Sequence, residues 1–448
     1  MGAGGVRLDI PQVPGILPRY TRRETEQNPS ETLSPEKGLP MIALLKLTLV
    51  FAGIVLLLSR KWNLGLVLLL ASVAIGLLFA YPLPEIGRDV LLTVVDLLTL
   101  RLALAVVLIM TLSELLRQTG GLKGMVESLQ ALIPNGRIVI AALPALVGLL
   151  PMIGGAMFSA PMVNEVGNRL DVDRERKTFI NYWFRHIWEY IFPLYPSMML
   201  AAALLGLTTT QLARATWPLT VAAVMGGLIF GLLRVPRQGS SNPHSIPRAQ
   251  NLRTLAMSIW PVILVITLSL ALPVDERFKL ILSALVSIAL MLIVKRIPLH
   301  NLWTILREHI PWQTVVVIFG ALAFRCLLNN SGAVIAVSDA LTNLRVPLAA
   351  VAFAVPFIAG LLTGVSAAAF SIGFPVVLPL VASGGTIAPA WAAWLMAGGF
   401  LGVMFSPVHL CLALTRIYFK AEWGPIYRLI TPSALVVAAT AAGLLLLA

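Results

Sequence analysis

Charged side chains are scarce in this sequence, at 12% of 448 residues, against about a quarter in an ordinary soluble chain. With 58% of residues hydrophobic, too little polar surface exists to clothe a water-soluble body of this size. Most of the chain must therefore be solvated by lipid. Acidic residues are scarcer still, 20 against 33 basic, for a net charge of +13. The basic residues fall in short clusters between apolar runs rather than on one polar face, so nucleic acid is not an expected partner. Cysteine is nearly absent: Cys326 and Cys411 are the whole complement. Both lie in apolar segments, with no CxxC pair and no His/Cys cluster at metal-ligand spacing along the chain, so neither a disulfide framework nor a bound metal is expected. The chain also lacks a GxSxG elbow, an HExxH pair, a Walker A loop and a Rossmann fingerprint. No catalytic residues and no cofactor are expected, and neither is nucleotide-driven pumping by this chain alone.

Residues 1–40 differ from the rest, being rich in Pro, Glu, Thr, Ser and Arg without apolar periodicity. Such composition reads as a disordered tail. It does not carry the basic start, short apolar core and small-residue cleavage site of a signal peptide. Met41 stands at the first apolar run and is a second candidate start of translation.

From residue 41 the chain repeatedly supplies the roughly 20 apolar residues that a spanning helix needs. Ten spans are expected, near 41–59, 65–83, 98–118, 182–206, 213–233, 252–272, 277–296, 311–328, 388–418 and 427–448. Two further apolar stretches, 138–163 and 349–381, are too broken by Gly, Pro and Ser to be ordinary spans. A polar segment, 234–251, reads as a linker near the middle.

A shift of 212 residues aligns Leu115–Ser159 with Leu327–Ser371 without a gap, and 14 of the 45 pairs are identical. They include Gly120 with Gly332, Pro144 with Pro356, the triplet Gly148-Leu149-Leu150 with Gly360-Leu361-Leu362, and Phe158-Ser159 with Phe370-Ser371. A proline, glycines and a serine in one register point to duplication of a unit, 41–233 and 252–448. Five spans per unit is an odd number. The second unit then starts on the opposite face, giving inverted repeats of the kind from which many transporters are built. Basic clusters such as Arg60-Lys61, Arg174–Lys177, Arg234–Arg237 and Lys295-Arg296 fall on one side of this layout, which should be cytoplasmic in the inner membrane, with both termini outside.

Irregular backbone at membrane depth must be buried in protein or line a wet cavity. The broken stretches 151–161 and 363–371 therefore read as re-entrant helical hairpins whose tips form a binding site. Free N–H groups at such a tip attract an anion, and Gly154, Gly155, Ser159, Thr363, Ser366 and Ser371 supply close approach and hydroxyls. Each hairpin precedes a span interrupted by proline: at Pro193 and Pro196 in the first unit, and at Phe405-Ser406-Pro407 in the second. Proline frees carbonyls at these breaks. Beside them stand Arg185, His186, Glu189 and His409. Arg185 is a candidate contact for an anionic substrate, with Ser406 at the break. His186, Glu189 and His409 are candidates for coupling to a proton or sodium ion. Arg185 and Glu189 could instead neutralise each other as an i, i+4 pair, and small residues can serve helix packing alone. Glu114 reads as a structural charge, and Trp303 and Trp312 as interfacial anchors.

At GLLPMIGGAMFSAPMV (148–163), INYWFRHIWEYIFPLYP (180–196) and FSPVHLCLALT (405–415) the sequence resembles the domain of unknown function 401 family of prokaryotic integral membrane proteins. That family is similar to the ion transporter superfamily, which includes gluconate, citrate and dicarboxylate permeases. The resemblance implies an elevator-type permease, dimeric like others of the superfamily. It supplies no substrate. The Ser-Asn-Thr tip signature of the dicarboxylate carriers is replaced here by Gly154-Gly155-Ala156 and Ser366-Ala367-Ala368, which argues against sodium-coupled dicarboxylate transport. The expected fold is thus all-α and polytopic, and the expected function is secondary transport of a small organic anion. A lipid or amphiphile transporter is the second reading and an intramembrane enzyme the third.

Overall fold

The computed structural model describes residues 39–448 apart from Ile153, 238–246, 344–345 and 383–385. Residues 1–38 of the expected tail, the centre of the expected linker and Ile153 of the first expected hairpin lie outside the described residues. Every regular element among those described is helical. Among the described residues, eight helical segments are long and apolar enough to cross a membrane: Met41–Ser59, Leu97–Gln118, Thr209–Leu232, Arg248–Ala271, Phe278–Lys295, Trp312–Asn330, Pro389–Phe419 and Trp423–Leu446. The chain is a multi-pass membrane protein.

These are eight of the ten expected segments; the other two fall short of that length for local reasons. The segment expected at 65–83 forms a helix only over Leu64–Leu78, because Pro82 and Pro84 lie just beyond it and the chain turns into a separate amphipathic helix, Leu83–Val95. The segment expected at 182–206 is divided: an α-helix over Arg174–His186, a tighter 3₁₀ turn over Ile187–Tyr190, and a new helix at Pro196–Leu205. Pro196 occupies the first turn of that new helix, where its missing N–H costs nothing.

Short polar residues set the helix starts. Asn63 accepts from Gly65 N at 2.9 Å, Asp96 from Leu98 N at 2.9 Å and Asp173 from Arg176 N at 2.7 Å, each satisfying a donor with no partner inside its helix. Gly120 and Gly332 both take left-handed backbone, φ 72° and 76°. The helices they open, Gly121–Leu132 and Ala333–Asn343, begin at 121 and 333, 212 apart. Gly136–Val147 and Leu348–Thr363 begin at 136 and 348, and Gly155–Arg169 and Ser366–Val381 end at 169 and 381. The sequence register thus recurs as a register of helices.

Packing across the chain is reciprocal. Leu64–Leu78 packs on Trp312–Asn330, and the corresponding Glu276–Lys295 packs on Leu97–Gln118. Gly155–Arg169 meets Leu410–Phe419, and Ser366–Val381 meets Pro196–Leu205. Glycine permits the closest of these approaches: a Cβ on Gly65 would lie 2.4 Å from the Val316 carbonyl carbon, and one on Gly320 would lie 2.3 Å from Gly65 O. Large apolar side chains on the outer helices, including Leu45, Leu49, Leu56, Leu66, Leu70 and Leu77, remain exposed. In water that would be a liability; for a multi-pass protein it is the face toward acyl chains.

Glu114 pairs with Arg117 at 2.6 Å and lies 3.8 Å from His309, a structural placement. Trp303 and Trp312 are exposed.

Candidate functional site

The site is built where two helix–turn–helix units meet two interrupted helices. In the first unit, Gly136–Val147 leads through 148–154 into Gly155–Arg169, and these helices pack on each other and on Arg174–His186. In the second, Leu348–Thr363 leads through Gly364 and Val365 into Ser366–Val381, packed on Pro389–Phe405. Gly154 and Gly364 make these turns with φ 72° and 66°, backbone that favours glycine. The same kind of bond ties each leading helix to its interrupted partner: Trp188 Nε1 donates to Ala145 O at 2.7 Å, and Trp394 Nε1 donates to Ala349 O at 2.7 Å.

The helix breaks leave carbonyls that side chains collect. Tyr182 OH donates to Met404 O at 3.2 Å, Tyr427 OH to Phe405 O at 2.9 Å and Ser406 Oγ to Leu361 O at 2.7 Å. Tyr195 OH donates to Gly148 O. Buried carbonyls left unpaired would each cost roughly 1–3 kcal/mol, so these bonds make an irregular backbone tolerable in the protein interior. Ser406 is thereby committed to the scaffold.

Arg185 and Glu189 do not form the i, i+4 pair that their spacing allows, because the α-helix tightens after His186 and their faces diverge. Arg185, 3% exposed, runs along the first turn: its Nη2 donates to Met152 O at 2.9 Å. A Cβ on Gly155 would lie 2.3 Å from that Nη2, so glycine is what admits the guanidinium. Arg185 Nε is buried with no hydrogen-bond partner among the described residues. Next to it, the helix starting at Gly155 has no side-chain cap. Glu189 reaches the other unit, where its Oε2 accepts from Ser366 Oγ at 2.9 Å. A carboxylate at the start of helix Ser366–Val381 is favourably placed against the helix dipole.

His186 and His409 face each other, Nε2 to Nε2, at 3.2 Å. Each lies close to a backbone carbonyl through Nδ1: His186 to Tyr182 O and His409 to Gly364 O, both 2.6 Å. Cys411 completes the group, with ligand atoms of all three residues within 4.8 Å of one another. Spacing along the chain hid this cluster, since 223 residues separate the two histidines. The short run His409-Leu410-Cys411 after Pro407 was its only local trace.

Other expected site residues are occupied elsewhere. Ser159 is fully buried and donates to Asn181 Oδ1 at 2.6 Å; Asn181 Nδ2 donates to Ala156 O at 2.9 Å and to Thr415 Oγ1 at 3.2 Å. Ser371 Oγ donates to Ala367 O at 2.6 Å and Thr363 Oγ1 to Ala359 O at 2.7 Å. Of the expected cradle, Gly154, Gly155, Arg185 and Ser366 stand at the turns, with His186, Glu189 and His409 between them. Asn181→Ala is expected to destabilise the protein by about 1–3 kcal/mol for each buried partner orphaned, read as a lower thermal midpoint in detergent. Unchanged stability would remove the network's structural role and free Ser159 for a ligand.

Residues 43–447 match the family described as protein of unknown function (DUF401). The chain belongs to that family. The matched stretch contains both turns, both interrupted helices and every side chain of the site. No curated protein matches the chain.

Proposed function

We propose that this protein is a secondary transporter that carries a small organic anion across the cytoplasmic membrane by alternating access, coupled to a proton or sodium ion. The observation that carries the reading is a buried arginine with an unpartnered Nε at an uncapped helix start, beside a carboxylate bound to the other unit. Ionisable groups at membrane depth are costly and are typically kept for a ligand or ion pathway.

In this reading each half crosses the bilayer five times, counting Leu64–Leu78 and the divided segment 174–205 as crossings. Both helix–turn–helix units enter and leave on one side as re-entrant hairpins. An odd count inverts the second half, and the reciprocal packing supports a two-fold relation between the halves. The basic loops face the cytoplasm, both termini face outward, and the protein works as a homodimer, as the superfamily resemblance implies. Arg185 and the N–H groups at Gly155 and Ala156 hold the anion. Glu189 binds the coupling cation, faced by Ser366, His186, His409 and Arg185.

The mechanism needs coupling between the two loci. A proton or sodium ion on Glu189 weakens its bond to Ser366, loosening the link between the first interrupted helix and the second hairpin, and that link must yield for the halves to move. Liposome flux screened over carboxylates, amino acids and inorganic anions, with and without proton or sodium gradients, tests this. Glu189→Gln is expected to assemble normally and to flatten the pH dependence of flux. An unchanged pH profile would remove proton coupling through this residue.

A second reading, transport of a lipid or amphiphile, is favoured by Leu362, Val365, Val408 and Leu410, which are exposed around the second turn. Flux of acyl-chain substrates, with none for short anions, would select it.

A further inference from the structure

The geometry points to a site for one transition-metal ion of the Zn²⁺ or Cu⁺ class, held by His186 Nε2, His409 Nε2 and Cys411 Sγ. Backbone carbonyls only accept hydrogen bonds, so Tyr182 O and Gly364 O, each 2.6 Å from an Nδ1, fix the proton of both rings on Nδ1. Two neutral imidazoles then direct two bare Nε2 lone pairs at each other across 3.2 Å. Without something positive between them, those lone pairs repel.

A metal ion fits that gap. Two Zn–N bonds of about 2.0–2.1 Å at a tetrahedral angle put the nitrogens about 3.3 Å apart, and the ring centres about 5.2 Å apart. The observed ring centres are 5.1 Å apart, with the rings inclined at 70°. Metal-bound histidines commonly donate their other N–H to a carbonyl or carboxylate, which orients the ring and raises its basicity; both rings already have that support. Cys411 adds a soft ligand, losing its thiol proton to solvent on binding. Glu189 Oε1 lies 3.9 Å from His186 Nε2, next to the group of three rather than within it. Tyr182 and Phe400, packed against the His186 ring, form an apolar wall that suits nitrogen and sulfur ligation and disfavours Mg²⁺ or Ca²⁺.

The ligands come from both interrupted helices, His186 from the first and His409 and Cys411 from the second. A bound ion would therefore clamp the two breaks together. The inference concerns binding alone and does not depend on the transport reading.

The test uses full-length protein carrying no polyhistidine tag, purified in detergent, stripped with a chelator and titrated with Co²⁺ and then Zn²⁺. One equivalent of Co²⁺ should bind with thiolate-to-cobalt charge-transfer absorption and tetrahedral d–d bands, be displaced by Zn²⁺ and be indifferent to excess Mg²⁺. Cys411→Ser should abolish the charge-transfer band while Cys326→Ser keeps it. Affinity should fall by about 100-fold or more in His409→Gln, since losing a mere supporting group already costs 10–100-fold. His186→Gln should match it; if that variant fails to fold, the His409 and Cys411 variants decide. No stoichiometric binding would mean the histidines share a proton rather than a metal, and would overturn the inference. A band that survives Cys411→Ser would overturn it too. Both readouts are independent of flux, so a failed transport assay leaves this result standing.

Discussion

Gly402→Ala is expected to lower stability by about 3 kcal/mol or more, among the largest effects of any single methyl group in this protein. A Cβ there would lie 2.0 Å from Phe357 O and 2.8 Å from the same residue's carbonyl carbon. The clash is with backbone, which no rotamer change relieves. Gly398, one turn earlier, has Phe353 O at 2.6 Å, and Gly360 on the facing helix has Gly399 O at 2.5 Å. Leu348–Thr363 and Pro389–Phe405 are thus in backbone contact along three points, the packing that small residues at four-residue spacing allow in membranes. Pushing them apart also shifts Gly364, whose carbonyl bonds His409 at 2.6 Å. Thermal unfolding in detergent should show the loss, with metal binding weakened in the surviving fraction. Gly53→Ala and Gly443→Ala, with nothing within 4 Å of the added Cβ, should be neutral or slightly stabilising. Wild-type stability in Gly402→Ala would contradict the close approach.

The second large effect is expected at Arg185. Arg185→Gln should weaken anion binding by about 2–5 kcal/mol, the cost of removing one partner of a buried charged contact. That corresponds to a loss of roughly 30-fold to several-thousand-fold. Arg185→Lys keeps the charge and can still donate to Met152 O, yet it lacks the Nε that faces no protein acceptor. A lysine ammonium cannot reproduce the planar fork, so intermediate binding is expected. Anion-dependent quenching of the neighbouring Trp183 and Trp188, alongside liposome flux, measures both. Full flux in Arg185→Gln, in protein that elutes as wild type does, would sink the assignment of the anion to this residue.

Much of this was legible along the chain. Apolar length gave most of the spans, because a helix must cross about 30 Å of hydrocarbon at 1.5 Å per residue. Proline marked where two of those helices break, and the helices end at Tyr190 and Phe405 close to the expected points. Shared residues at a spacing of 212 anticipated helices starting at 121 and 333 and at 136 and 348. The shared glycines were legible as a pattern but not as a purpose. Gly148 and Gly360 lie under the backbone of the interrupted helices, with Arg185 O at 2.2 Å and Gly399 O at 2.5 Å from an added Cβ. They serve packing, whereas the turns themselves are made by Gly154 and Gly364.

By itself the sequence determined the solvent, the helical class and the places where regular backbone fails, since each follows from composition, length and local stereochemistry. Only the tertiary structure decided which polar side chains are spent on the scaffold and which remain for a ligand. Ser159, Ser371 and Ser406 find partners close at hand, while Arg185 Nε is left without one. Likewise, nothing local joins His186 to His409 and Cys411. Their meeting depends on how two distant breaks pack against each other, and local sequence does not encode the relative placement of elements so far apart along the chain.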